Sequence, residues 1–360
     1  MSRSEFLFRF VAIFLLLVFS TGLSQATEPW KFGVIPDTQW NSMDEPFNGV
    51  AIHIIDAVVA EMIRQKVDLV VHTGDLTDRS TQKGFDTAAA RFKPLTDNGI
   101  GFYPVRGNHD IRGGLEVVEQ YKMAFPDRPG EPGRKGTSPD LPGIEGLTYA
   151  FTHKNIKFVM LDIFPVKGKD GDEIDYKPGD FQPWIDKELD AKDYRHAIVV
   201  SHKNLIGQNH KDNLFSSRSP NRYPEMQNRF FKSLADHGVR LYLSGHDHLY
   251  YRARIWSVDR ESEVMQIICG ACAHKFYSPR EPFSLRDVPL AQELNRVGFM
   301  IFTVTDDGIT GEYYSTEPFG AEPKKPKWNL RERFGYTKDG KYFEEQNVPM
   351  KDFLRYKLVP

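Results

Sequence analysis

The sequence predicts an α/β protein: one domain in which two central β-sheets are flanked by helices. Two observations carry this. From Lys31 to Ser244, short apolar runs alternate with amphipathic helical stretches, the pattern of successive βα units that builds a mostly parallel sheet. After Ser244 the helical periodicity stops and strand-like runs continue to about Tyr314, which adds a second, more antiparallel sheet packed against the first.

In chain order, Lys31 to Pro36 is a strand. Val50 to Lys66 is a helix with Ile54, Ile55, Val58, Val59, Met62 and Ile63 on one face. Val67 to Thr73 is a buried strand, Asp86 to Leu95 a helix and Phe102 to Val105 a strand. Leu147 to Thr152 and Ile156 to Asp162 read as paired strands, Phe181 to Ala191 as a helix, and His196 to Ser201 as a strand. Pro224 to His237 is a helix and Val239 to Ser244 a strand. Pro126 to Gly146, rich in Pro and Gly, and His202 to Tyr223 are long loops. The domain spans residues 27–316. Residues 317–360 are polar with little periodicity and are expected to form an extension or a peripheral element.

Composition is that of a globular protein, 40% apolar and 27% charged. The net charge of −2 offers no basic excess with which to grip a nucleic-acid polymer, so a small ligand is expected instead. Residues 1–26 read as a signal peptide. Arg3 and Arg9 precede an apolar run from Phe10 to Phe19, and Ser24-Gln25-Ala26 suits cleavage before Thr27. The run is short against the roughly 20 residues of a membrane span, although an uncleaved anchor is the alternative. The leader carries Arg3, Arg9 and Glu5, so its removal takes the net charge from −2 to −3 and leaves no membrane span. The expected location is periplasmic or secreted. Cys269 and Cys272 are the two cysteines; after export they are expected to be packed or bridged, without catalytic work.

The residues that carry chemistry fall at strand ends. Asp37 and Gln39 follow the first strand, and Gly74-Asp75-Leu76-Thr77-Asp78 the second. Gly107-Asn108-His109-Asp110 follows the third, His202 closes Ile198-Val199-Val200-Ser201, and Gly245-His246-Asp247-His248 follows Leu241 to Ser244. In open α/β sheets, ligands bind at the carboxyl ends of strands. Glycine before Asp75, Asn108 and His246 is expected to permit a sharp turn that aims the next side chain over the sheet edge. Carboxylates, an amide oxygen and imidazoles together suit two borderline divalent metals such as Mn, Fe or Zn, with Asp75 able to bridge them. Gly-Asn-His-Asp alone should arise by chance in on the order of one chain in a thousand of this length; the ordered set at five strand ends is far more specific.

This set resembles the calcineurin-like metallophosphoesterases, whose motifs are Asp-x-His, Gly-Asp-x-x-Asp, Gly-Asn-His-Asp/Glu, a lone His and Gly-His-x-His. The resemblance covers residues 31–250 and implies a four-layer αββα sandwich. It implies that Asp37, Asp75 and His248 hold one metal, and that Asp75, Asn108, His202 and His246 hold the other. His109 would contact phosphate or protonate the leaving group, with Asp78 or Asp110 as its support. The first motif departs from the family pattern: Gln39 stands where the family has His, offering a neutral carbonyl ligand. Asp78 stands where purple acid phosphatases have a tyrosine, so a purple iron centre is not expected. The implied activity is hydrolysis of a small phosphate mono- or diester by a metal-bound water or hydroxide; the alternative is a scaffold that kept the metals and lost turnover. His53 and His72 read as structural. Lys203, Asn204, His210, Arg218 and Arg222 lie in the long polar loop after His202, which is able to reach over the metals. His274, after the cysteine pair, is a weaker candidate.

Overall fold

The computed structural model describes residues 28–39, 49–131, 133–273, 275–280, 282–316 and 326–345, and the backbone of residues 354–355. The predicted signal peptide and His274 lie outside the described residues.

The strands and helices in chain order are β1 (Trp30–Ile35), α1 (Ile52–Gln65), β2 (Leu69–His72), α2 (Gln82–Asp97), β3 (Gly101–Pro104), a 3-10 turn (His109–Ile111), α3 (Glu116–Ala124), β4 (Tyr149–His153), β5 (Ile156–Leu161), β6 (Val166–Lys167), β7 (Glu173–Ile174), α4 (Pro178–Asp190), β8 (His196–Ser201), α5 (Pro224–Asp236), β9 (Leu241–Ser244), β10 (Leu249–Trp256), β11 (Glu263–Gly270), β12 (Asp287–Glu293), β13 (Gly298–Thr305), β14 (Gly308–Ser315), β15 (Asn329–Thr337), β16 (Tyr342–Glu345) and β17 (Leu354–Arg355).

Two mixed sheets face each other, with helices outside both, as the four-layer αββα prediction requires. The first has the order β16-β15-β14-β13-β1-β2-β3, with β1, β2 and β3 parallel. The second has the order β17-β12-β10-β11-β9-β8-β5-β4, with β5, β8, β9 and β11 parallel. The parallel strands place their carboxyl ends on one edge, which is where the site forms.

Burial explains why these segments become these elements. On α1, Ile54, Ile55, Val58, Val59 and Met62 recur at helical spacing and are buried. Thr81 caps α2 by accepting the Gly84 N–H at 3.1 Å, and Pro178 and Pro224 open α4 and α5, where a missing N–H costs nothing. Between the sheets, Phe32 stacks on Phe302 and meets Phe158 edge-on across the interface, while Tyr250 stacks on Tyr313. Phe181, Ile185, Phe230 and Leu234 cover the outer face of the second sheet beside Val159 and Val199.

Two buried ion pairs tie the sheets together. Arg106 at the end of β3 donates to Asp162 after β5 at 2.6 and 3.1 Å, and both side chains are fully buried. Arg252 on β10 pairs with Glu332 on β15, and these are also fully buried. The stretch after Thr316, read from sequence as an extension or a peripheral element, therefore supplies β15 and β16 to the first sheet and a charge to the inter-sheet core. Cys269 and Cys272 are free thiols packed in the core, not a bridge. Among the described residues, no helix is long and apolar enough to cross a membrane.

Candidate metal centre

The five loops meet at one edge. Four of the predicted ligands adopt the left-handed backbone that non-glycine residues rarely use: Asp37 (φ 28°), Asp75 (φ 57°), His246 (φ 72°) and His248 (φ 39°). Such strain persists where surrounding structure enforces it, characteristically at functional sites. Of the glycines in the motifs, Gly74 has φ 96° and makes the turn that was expected. Gly107 and Gly245 serve closeness instead. A Cβ on Gly107 would lie 2.0 Å from Asp75 Oδ1, and one on Gly245 would lie 2.3 Å from Asp37 Oδ2.

Asp37, Asp75 and His202 bring one ligand atom each within 4.8 Å of one another, and all are buried. Asp37 accepts the His246 N–H at 2.9 Å, and its own carbonyl accepts the Cys272 N–H at 3.1 Å, so the Cys-Gly-Ala-Cys turn braces the first ligand loop. Burial, and then the charge of Asp75, push the Asp37 carboxyl well above the ordinary carboxylate range. A carboxyl held in this way ionises readily only with positive charge beside it.

The histidines are oriented as ligands. His202 Nδ1 lies 2.9 Å from the Thr73 carbonyl, and His248 Nδ1 lies 2.6 Å from the Lys275 carbonyl. Burial pushes both rings well down from the usual histidine range, so they are neutral. A neutral ring that donates from Nδ1 presents a lone pair at Nε2. His202 Nε2 faces Asn108 Oδ1 at 3.0 Å and Asp75 Oδ2 at 3.5 Å. His248 Nε2 lies 3.5 Å from Asp37 Oδ1 and 2.8 Å from the Gln39 amide. Gln39 Nε2 also donates to Asp75 Oδ2 at 2.9 Å, while its Oε1 is buried without a hydrogen-bond partner. Three acceptors converging from His202, Asn108 and Asp75, with an orphaned carbonyl on Gln39, fit divalent cations at this place. Asp75 Oδ2 reaches Gln39 on one side and His202 on the other, as a bridging ligand must. His246 joins through its backbone and through its ring, 5.0 Å from that of His202. Its Nε2 points at Asp212, 3.2 Å away.

His109 sits beside the ligands. Its backbone N–H donates to Asp75 Oδ1 at 2.8 Å, and its Nε2 lies 3.9 Å from Asp75 Oδ2. Nδ1 lies 2.9 Å from the Asp78 carboxylate. Burial disfavours the charged ring, but the hydrogen bond to Asp78 and the charge of Asp75 outweigh it and raise the His109 pKa. Asp110 differs from expectation. Its carboxylate accepts N–H groups from Leu76, Thr77 and Gly107 at 3.1, 3.0 and 2.9 Å. It therefore clips two ligand loops together from beneath, and Asp78 is the residue that supports His109.

Four neighbours carried no motif. Arg112 places Nη2 2.9 Å from His109 Nε2 with its side chain half exposed. Tyr277 packs edge-on against His210 and tilted on His248. Lys275 supplies a carbonyl to His248, and Asp212 reaches His246. From the loop after His202, His210 lies against His246 with ring centroids 4.3 Å apart, and Lys203 also comes to the site. Asn204 instead accepts the Ser244 hydroxyl at 2.8 Å, Arg218 is exposed, and Arg222 lies over the Tyr223 ring.

Acceptors from five loops thus converge at the carboxyl ends of two facing sheets, as a candidate cation site. The chain belongs to the calcineurin-like phosphoesterase family, whose sequence model matches residues 31–250. Three solved structures show the same fold. A purple acid phosphatase, PPD1, from yellow lupin (Lupinus luteus) seeds is 14% identical with a TM-score of 0.58; the match covers 80% of this chain and 52% of that one. PhoD is 12% identical with a TM-score of 0.59, over 90% and 72%. A dimetal phosphatase from Danio rerio is 14% identical with a TM-score of 0.51, over 79% and 95%. The chain thus spans about half the length of the lupin protein. No curated protein sequence matches.

Proposed function

We propose that the protein is a metal-dependent hydrolase of small phosphate esters, working through two divalent ions, Mn, Fe or Zn. The observation that carries this is the meeting of three ligand-type atoms, His202 Nε2, Asn108 Oδ1 and Asp75 Oδ2, beside the unpartnered Gln39 Oε1. Asp37, Gln39, Asp75 and His248 would hold one ion, and Asp75, Asn108, His202 and His246 the other. Bound there, the ions would polarise the phosphoryl oxygens, acidify water and steady the leaving oxygen. The chain contributes His109 as proton donor to the leaving oxygen, with Nδ1 fixed by Asp78 and Nε2 facing the ligands. The half-exposed Arg112 guanidinium beside His109 Nε2 adds a charge for an anionic substrate. The amino-terminal pattern up to Ala26 supports export to the periplasm or medium.

The test is turnover of nitrophenyl phosphate and bis-nitrophenyl phosphate by the metal-stripped protein, with and without added Mn²⁺. Mn²⁺-dependent hydrolysis of either is expected, and the preferred substrate separates phosphatase from phosphodiesterase. Two bound ions with no turnover of either ester would leave the scaffold alternative standing.

A further inference from the structure

The three histidines of the centre are not held alike. His202 and His248 each spend the Nδ1 proton on a backbone carbonyl, those of Thr73 and Lys275. His246 is backed by a carboxylate, at its other nitrogen: Nε2 lies 3.2 Å from Asp212 Oδ1. Asp212 Oδ2 is taken by Lys203 Nζ, the residue next to the ligand His202. Lys203 Nζ and His246 Nε2 lie 3.0 Å apart, and each has its own oxygen of the same carboxylate. Lys203 is only 9% exposed and Asp212 25%, so this contact is shielded from water.

The loop that carries Asp212 is anchored on both sides of it. Leu214 donates its N–H to the Asn204 carbonyl at 2.8 Å. Asn213 accepts from the Phe215 and Ser216 N–H groups and donates its side-chain amide to the Leu205 and Pro220 carbonyls. The Lys203 carbonyl accepts the Tyr242 hydroxyl at 2.6 Å. The carboxylate is therefore presented to His246 by a fixed frame, without the ordering cost of a free side chain.

We propose that Asp212, steadied by Lys203, is a positioning residue for the metal ion on the His246 side: it holds the proton of His246 on Nε2 and turns Nδ1, with its lone pair, to the metal. The inference rests on the dinuclear reading above and adds to it a residue outside the sequence motifs. The physical reason is general. A carboxylate that accepts the remote N–H of a ligating imidazole fixes the tautomer and the ring, raises ligand basicity, and commonly accounts for 10–100-fold in metal affinity. The Lys203 charge offsets that of Asp212, so the pair orients His246 without adding net charge to the centre.

The experiment is a calorimetric titration of Mn²⁺ into the metal-stripped full chain, with the fold checked by circular dichroism. The variant to make is Asp212→Ala combined with Lys203→Met, which removes the pair together and leaves no lone buried charge. One Mn²⁺ should bind about 10–100-fold more weakly than in the wild type, and it should be the ion that His246→Ala also weakens. The other ion should be unchanged. Asp212→Asn, nearly isosteric and able to keep the loop, should weaken the same ion by a smaller factor. Wild-type affinity for both ions in the double variant, or equal weakening of the two, would overturn the assignment. A wild-type protein that takes up no Mn²⁺ would instead refute the dinuclear reading itself.

Discussion

His109→Ala separates metal binding from proton transfer. The structure places His109 Nε2 at 3.9 Å from Asp75 Oδ2, beside the ligands, with Nδ1 committed to Asp78. On the proposed roles, removing the ring takes away the proton donor and no ligand atom, so both ions should remain. General acid catalysis by a positioned side chain contributes about 10²–10⁴-fold, which is about 3–5 kcal/mol of transition-state stabilisation. That contribution is largest where the leaving group is a poor one, because an alkoxide needs the proton and a nitrophenolate does not. The assay is kcat for a simple alkyl phosphate against nitrophenyl phosphate, with metal content measured on the same preparations. A loss of 10²–10⁴-fold on the alkyl ester and a much smaller one on the nitrophenyl ester is expected. Equal losses on both would reassign His109 to phosphate positioning, and loss of metal would make it a ligand.

Three further outcomes follow from the fold and the leader. Glu332→Gln should destabilise the protein by about 3 kcal/mol, measured by urea denaturation, because it leaves Arg252 buried with Glu344 as a remaining carboxylate partner at 2.8 Å; a change below about 1 kcal/mol would mean that the inter-sheet pair does little. His72 is buried and neutral, with its pKa pushed down to about 3 by burial. An unfolded histidine titrates near 6.5, so only the unfolded chain takes up that proton as pH falls through this range, and His72 costs about 2 kcal/mol of stability at pH 5 relative to pH 7. The stability gap between wild type and His72→Asn should therefore narrow by about 2 kcal/mol from pH 7 to pH 5, and a gap that stays constant would refute the assignment. Amino-terminal sequencing of the protein from its native host should begin at or near Thr27; a product beginning at Met1 would contradict export.

Most of the elements were legible because their signals are local. The α1 stripe and the apolar runs of β2, β5, β8 and β9 need no knowledge of partners to be recognised. The motif residues were legible because each follows a strand, so the topology gathers them at one edge. What sequence did not reveal depends on contacts distant in the chain. In β15, Arg331 and Glu332 are buried, which breaks the apolar pattern of an inward-facing strand. They are tolerated there because Glu293 and Arg252 lie opposite. Helix α3 has only Val117, Val118 and Tyr121 buried, too few to mark a helical face between two loops. Asp212 carried no signal because its role depends on how a long polar loop folds back. By position Gly107 and Gly245 look like turn-makers, but their constraint is the approach of Asp75 and Asp37, a distance that spacing alone does not encode.

Under the proposed reading, seven side chains at five strand ends hold two metal ions through a shared carboxylate. The decisive measurement is elemental analysis of the protein reconstituted with Mn²⁺, beside Asp75→Asn prepared in the same way. The geometry predicts two ions per chain in the wild type and the loss of both together in the variant, since Asp75 Oδ2 lies between the Gln39 and the His202 sides of the centre. Trace metal in the reconstituted wild type, or an Asp75→Asn variant that keeps both ions, would contradict it.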